Sequence, residues 1–437
     1  MPRIISENFY SAVRAIVNHL PLLKTSKTMA SARSTVPKQS SCAGTLYKVS
    51  TPPSAIPVLK ILKTLPTMFP LSWEESFQDY RQFNKDAKKF QTDLFSTLPF
   101  YPYPSNQITG EFIETPVGKG AYINEFCVKP TFAKGVAGKP QKHLIIVHGY
   151  GAGIGFFIKN IEHLANSLVK DNWCLHAIDL PGYGYSSRDN FPFNIHRDTP
   201  EQVEKWFHSK IHQWFKARGL LDNPDQNTVL AHSMGAYLMA TYAAQPHLQN
   251  HWSKLMMCSP GGITPTKLEP TPPFWFVKLW DQNISPFSIV RALKRLGSKV
   301  TSAWTFRRFS NLGNSRLRLL LHRYTYAIFN AKGSGEYMLS FFLKCGGDPR
   351  VPLQKRLFSG ASSNIHAQNI LKNSKMEWVW LYGENDWMNV NGGVACSEFL
   401  NAHAIKSTVA EIPYAGHHLY LDNERMFNDF VLRELKK

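Results

Sequence analysis

A chain of 437 residues, 43% hydrophobic and 19% charged, can bury a large core, which excludes a disordered or fibrous protein. The formal charge of +19 is local: residues 1–50 carry a net +6 and residues 262–374 a net +13, so the rest of the chain balances. No uninterrupted apolar run is long enough to cross a bilayer as a helix. Six cysteines (Cys42, Cys127, Cys174, Cys258, Cys345, Cys396) stand apart without C-x-x-C or metal-ligand spacing. They read as separate thiols in a reducing compartment, and neither a metal nor a cofactor is expected.

In residues 1–45, Ile5, Phe9, Val13, Ile16 and Leu20 recur at helical spacing, with Arg3 and Arg14 available for the polar side and almost no acid. That composition predicts a mitochondrial targeting presequence; an N-terminal arm without an address is the alternative. Residues 46–105 read as a proline-rich linker and a lead-in helix from about residue 73 to residue 94. Residues 108–128 alternate as a hairpin, with Val117-Gly118-Lys119-Gly120 at the turn.

The first core segment spans residues 106–261. A short apolar strand over residues 143–147 runs into His148-Gly149-Tyr150-Gly151-Ala152-Gly153. The glycines are not spaced as G-x-G-x-x-G, so the turn reads as a loop whose N–H at Gly149 or Tyr150 can approach a developing negative charge. Further strands fall at 173–179, 228–231 and 255–258, with a helix over 200–217. Residues 262–374 interrupt the rhythm, which resumes in a second core segment, 375–437, with strands at 377–382 and 407–412 and a closing helix. Alternating strands and helices predict a mostly parallel central sheet with helices on both faces, an α/β class fold.

Three reactive side chains fall where strands end. Ser233 lies in Ala231-His232-Ser233-Met234-Gly235, the pattern of a nucleophile elbow with alanine in the first glycine's place. Asp386 closes Gly383-Glu384-Asn385-Asp386, and His417 follows Ala415-Gly416. A serine hydroxyl attacks an ester only when a base takes its proton, and an imidazole acts as that base best when an acid orients it. Ser233, His417 and Asp386 are therefore the candidate catalytic residues, with the Met234 N–H and that of Gly149 or Tyr150 holding the oxyanion. His418 is a rival base, and Glu384 and Asp179 are rival acids; His148 and His232 read as structural.

Residues 262–374 are dense in aromatic and basic side chains, among them Trp275, Phe276, Lys278 and Trp280. Such a cluster suits the headgroup level of an anionic bilayer, where each cation contributes about 1 kcal/mol. A solvated basic cap around a buried aromatic core is the alternative. Nucleic acid is not expected, since no binding motif accompanies the charge.

The order Ser233, Asp386, His417 resembles that of α/β-hydrolases. The elbow, Gly383-Glu384-Asn385-Asp386-Trp387-Met388 and the His-x4-Asp pair His417 and Asp422 resemble the lipid-active branch related to the lipid-droplet lipase co-activator. Trp280-Asp281-Gln282-Asn283-Ile284-Ser285-Pro286-Phe287, Gly333-Ser334-Gly335-Glu336-Tyr337 and Gly416-His417-His418-Leu419-Tyr420-Leu421-Asp422-Asn423 are similar to the fungal mitochondrial cardiolipin-specific deacylases. The resemblance implies an α/β-hydrolase fold with a large helical cap inserted before the acid-bearing strand. It also implies a phospholipase that deacylates cardiolipin to monolysocardiolipin, peripheral on the matrix face of the inner membrane. It leaves open acyl transfer to lysophosphatidic acid, an activity linked in the family to the His-x4-Asp pair. Some relatives are non-catalytic lipase co-activators lacking the nucleophile, which this chain retains.

Overall fold

The structure, a computed structural model, describes residues 67–131, 140–248, 250–266, 274–372 and 375–437. The basic leader expected over residues 1–45 and the start of the linker lie outside them. Among the described residues, β1 (Ile108–Pro116), β2 (Tyr122–Pro130), β3 (Lys142–Val147), β4 (Trp173–Ile178), β5 (Asn227–His232), β6 (Lys254–Cys258), β7 (Glu377–Gly383) and β8 (Ser407–Ile412) form one sheet. Its order is β1-β2-β4-β3-β5-β6-β7-β8. The hairpin β1–β2 joins β4 antiparallel, and every later pairing is parallel. Strand positions agree with the expected ones to within about a residue or two at each end.

Period-two alternation divides the core into two halves. On β7, Trp378, Trp380 and Tyr382 enter the cluster on one face, while Val379 and Leu381 enter the other. The first face is covered by α4 (Pro200–Ala217) and α5 (Met234–Ala243), through side chains such as Phe207, Trp214 and Tyr242. The second is covered by α3 (Ile158–Leu168) and, at the chain's end, α15 (Glu424–Lys436). Local sequence starts α4 cleanly: Thr199 caps it, Gln202 closes the capping box and Pro200 occupies the first turn.

The lead-in segment is two helices rather than one, α1 (Trp73–Lys85) and α2 (Lys88–Phe95). Asp86 adopts extended backbone, and its carboxylate accepts from the Lys88 N–H at 3.0 Å, so an acid that could sit in a helix instead breaks and restarts it.

Between β6 and β7 the chain forms a helical cap. It comprises α6 (Phe274–Asp281), α7 (Phe287–Ala292), α8 (Gly297–Arg308) and α9 (Ser315–Asn330), followed by α10 (Leu339–Phe342), α11 (Leu353–Leu357) and α12 (Ile365–Lys372). Phe287, Trp304 and Phe309 are buried and join the second core half. Part of the basic charge is also engaged. Arg323 pairs with Asp79 of α1, Arg356 with Glu204 of α4, Arg308 with Asp422, and Arg291 with Glu336. The first three pairs tie the cap to the body alongside apolar contact, while the last lies within the cap. Two further helices, α13 (Val390–Ala402) and α14 (Leu419–Asp422), flank the last strands.

Candidate active site

β5 is buried along its length, and the chain leaves it abruptly at Ser233. Ser233 has φ 53° and ψ −115°, a conformation costly for a residue with a β-carbon. Its surroundings hold it there. The Ser233 N–H donates to the Cys258 carbonyl at 2.9 Å, and its own carbonyl accepts from Tyr237 at 3.0 Å and Gly261 at 3.1 Å. A β-carbon on Gly235 would lie 2.4 Å from the His148 carbonyl oxygen, so glycine lets α5 start against the end of β3. Ala231, in the other small position, is buried beside Val147 and Met257.

The strand ends bring three side chains together. His417 Nε2 lies 3.0 Å from Ser233 Oγ, and its Nδ1 lies 3.1 Å from Asp386 Oδ1. A proton on Nδ1 donated to the carboxylate leaves Nε2 free to accept from the hydroxyl. Asp386 Oδ1 also accepts from the Met388 N–H at 3.1 Å. The side chains of His417 and Asp386 are 8% and 2% exposed, so charge forming on the imidazole is weakly screened by water. Trp387 covers the base, its ring centre 5.1 Å from that of His417.

The rivals lie elsewhere. Asp179 accepts from Ile154 N–H, Tyr185 N–H and the Asn124 amide, tying β2 to two segments that follow strands. Glu384 is exposed and accepts from the Tyr414 N–H. His418 packs against His232 and Tyr420, and burial holds its pKa well below the ordinary histidine value. His232 donates from Nε2 to the His417 carbonyl at 2.9 Å and is held neutral by burial. Asp422, the acid of the His-x4-Asp pair, does not bond to the imidazole. Its Oδ1 pairs with Arg308 at 2.7 Å, and its Oδ2 accepts from the Gly416 N–H at 3.0 Å.

The glycine-rich loop faces the elbow: a β-carbon on Gly149 would lie 2.9 Å from that of Ser233. His148 shapes this loop, with Nδ1 donating to the Gly149 carbonyl at 2.8 Å and Nε2 accepting from the Leu180 N–H at 3.0 Å. Burial depresses its pKa, consistent with the neutral tautomer these bonds require. Met234 opens α5, where a helix leaves its first N–H groups without intrahelical partners. The Met234 backbone directly follows Ser233 and the Gly149 backbone lies beside it, the two positions expected to supply oxyanion donors. The Tyr150 ring stacks on Phe287 of the cap at 5.4 Å between centres.

On the cap, α6 divides the expected lipid-contact cluster. Trp280 is half-buried, packs against the core and donates its indole N–H to the Leu343 carbonyl at 3.1 Å, so part of its ring is committed to packing. Lys278 is exposed, its ammonium 4.7 Å from the ring centre of Phe274, which is itself 73% exposed. Leu279 and Ile284 are also exposed. The side chains of Trp275 and Phe276 lie outside the described residues. The sequence reading missed Trp387 and Arg308 as neighbours of the base; an indole next to Asp386 was the one available signal.

A mostly parallel sheet with a strained serine, a carboxylate and a histidine beyond its strand ends has the architecture of α/β-hydrolases. The chain belongs to that family: residues 142–424 match the family described as alpha/beta hydrolase fold. It is 30% identical over 309 residues to a probable 1-acylglycerol-3-phosphate O-acyltransferase of Oryza sativa, covering 67% of each chain. It is 26% identical over 298 residues to a (lyso)-N-acylphosphatidylethanolamine lipase of Bos taurus, covering 66% of this chain and 77% of that one. A 1-acylglycerol-3-phosphate O-acyltransferase of Saccharomyces cerevisiae is 24% identical over 343 residues, covering 67% of this chain and 82% of that one.

Proposed function

We propose that this chain is a serine phospholipase that hydrolyses one fatty acyl ester of cardiolipin, giving monolysocardiolipin and a free fatty acid. The observation that carries the reading is the relay from Ser233 Oγ through His417 to Asp386, with contacts of 3.0 and 3.1 Å. Ser233 Oγ attacks the ester carbonyl while His417 Nε2 takes its proton. Asp386 stabilises the imidazolium, and the Met234 N–H with that of Gly149 or Tyr150 stabilises the oxyanion. The tetrahedral adduct collapses with cleavage of the bond to the glycerol oxygen, which takes the proton from His417 as it leaves as a hydroxyl. Water, deprotonated by His417, then cleaves the acyl-serine.

Substrate class rests on the lipid names of the relatives and on the cap. An exposed pair such as Phe274 and Lys278 can insert a ring at the acyl boundary and leave its cation among anionic headgroups. The leader's composition suggests a mitochondrial destination, and the resemblance to cardiolipin-specific deacylases implies the matrix face of the inner membrane as the place of action. Purified protein is incubated with cardiolipin vesicles and the released fatty acid is measured by mass spectrometry. Release should be abolished by Ser233→Ala; undiminished release from that variant removes the assignment.

The rice relative's name favours a second reading, in which a lysophosphatidic acid hydroxyl replaces water as acyl acceptor. Both routes share the acyl-serine. Labelled acyl-CoA with lysophosphatidic acid separates them, because transfer yields labelled phosphatidic acid, whereas hydrolysis of cardiolipin releases free acid without any acyl-CoA donor.

A further inference from the structure

The backbone around His417 is held at three consecutive residues. The Gly416 N–H donates to Asp422 Oδ2 at 3.0 Å, the His417 carbonyl accepts from His232 Nε2 at 2.9 Å, and the His418 carbonyl accepts from Arg308 Nη2 at 3.4 Å. Arg308 also grips Asp422 Oδ1 at 2.7 Å. Two of the three restraints therefore converge on one ion pair. Arg308 is the last residue of α8, a cap helix, while Asp422 and His417 belong to the body. The side chains of Arg308 and Asp422 are only 10% and 17% exposed, so the pair is poorly screened.

We infer that Arg308, acting through Asp422, is a cap-borne positioning residue for His417. This rests on the relay proposed above. Asp422 contacts neither imidazole nitrogen, so the acid of the His-x4-Asp pair works as a clamp on the loop rather than as a proton carrier. The cap thereby fixes the base: with α8 seated, His417 Nε2 faces Ser233 Oγ; with α8 displaced, the loop loses the grip on both sides of the histidine. Misplacing a catalytic group by about 1 Å can cost on the order of a hundredfold in rate.

The test uses the full chain, a soluble short-chain p-nitrophenyl ester and a fluorophosphonate that labels activated serines. Arg308→Ala and Asp422→Ala should each lower kcat by about ten- to a hundredfold with KM nearly unchanged. Arg308→Lys should restore part of the loss, and the double variant should be no slower than the worse single one, since both break one device. Should an alanine variant fail to fold, Arg308→Lys and Asp422→Asn carry the same comparison, with an expected several-fold loss. Thermal melting checks that each variant is folded. Wild-type protein labelled at Ser233, beside an Arg308→Ala variant, or an Asp422→Asn variant where the alanine one does not fold, labelled at the same rate, overturns the clamp alone. Wild-type protein not labelled at Ser233 overturns the relay and the clamp with it.

Discussion

His232 donates from its imidazole Nε2 to the main-chain carbonyl of His417 at 2.9 Å. The residue before the nucleophile thus holds the backbone of the base, and the two halves of the relay are joined by a bond that no substrate atom shares. His232→Phe keeps an aromatic ring but removes the donor. A buried hydrogen bond of this kind contributes about 1 kcal/mol, so kcat on a soluble ester should fall roughly five- to tenfold with little change in KM. An unchanged kcat would show that the Arg308–Asp422 clamp suffices.

Asp386 and Asp179 are both buried acids that follow strands, and their substitutions should separate cleanly. Asp386→Asn should reduce kcat by about 10⁴-fold with a small change in melting temperature, because the imidazole loses its orienting acceptor. Asp179 accepts from Ile154, Tyr185 and Asn124. Asp179→Asn should therefore lower the melting temperature, and any activity loss should track the loss of folded protein. Melting curves and active-site titration on both variants provide the check.

At Gly235 a methyl group would meet the His148 carbonyl oxygen at 2.4 Å. That neighbour is backbone at the head of the oxyanion loop and cannot rotate away. Gly235→Ala should destabilise the fold by about 1–3 kcal/mol and lower kcat as well, since relief of the clash moves the loop beside the nucleophile. A variant matching wild type in denaturant midpoint and in kcat would contradict the geometry.

The two kinds of aromatic residue on α6 should behave differently. Removing exposed apolar groups by Phe274→Ser with Leu279→Ser should weaken partitioning onto cardiolipin vesicles about tenfold or more, given roughly 1.5–3 kcal/mol for burying one large side chain. Hydrolysis of a soluble ester should be unaffected. Trp280→Ala should instead lower the melting temperature, because its indole packs inward and bonds to Leu343. Vesicle co-sedimentation and thermal melting distinguish the two outcomes.

Buried histidines predict an acid-sensitive fold. Burial drives His208 and His322 down to about 3 and His251 to about 4 from an ordinary 6.5. The unfolded chain takes up these protons near pH 6.5 and the folded chain only far lower, so stability is complete above about pH 6.5 and declines as pH falls toward 4. Each such group adds up to about 1.4 kcal/mol per pH unit in that window. His208 bonds to the Leu238 carbonyl through Nε2, a contact that the amide of glutamine can reproduce. His208→Gln should accordingly flatten the decline in melting temperature between pH 6.5 and 4. A profile identical to wild type counts against a neutral buried His208.

Much of this molecule was legible in one dimension because the signals are local. Alternation on β7 sorts Trp378, Trp380 and Tyr382 from Val379 and Leu381, and Thr199, Pro200 and Gln202 announce α4. Small residues around Ser233 mark the elbow because a tight strand-to-helix turn leaves no room for larger ones. Choices among chemically similar residues were not legible, because they depend on partners 31 and 184 positions away in the chain. Asp386, Asp179 and Glu384 all sit near strand ends, and only the three-dimensional arrangement turns Asp386 toward His417. The same holds for Trp280, whose inward orientation is set by the elements packed on α6, and for Asp422, claimed by a cap arginine 114 residues before it. Composition and periodicity settled which segments become strands and helices; which side chains meet was decided by how those segments pack, since direction and burial are properties of the assembled chain.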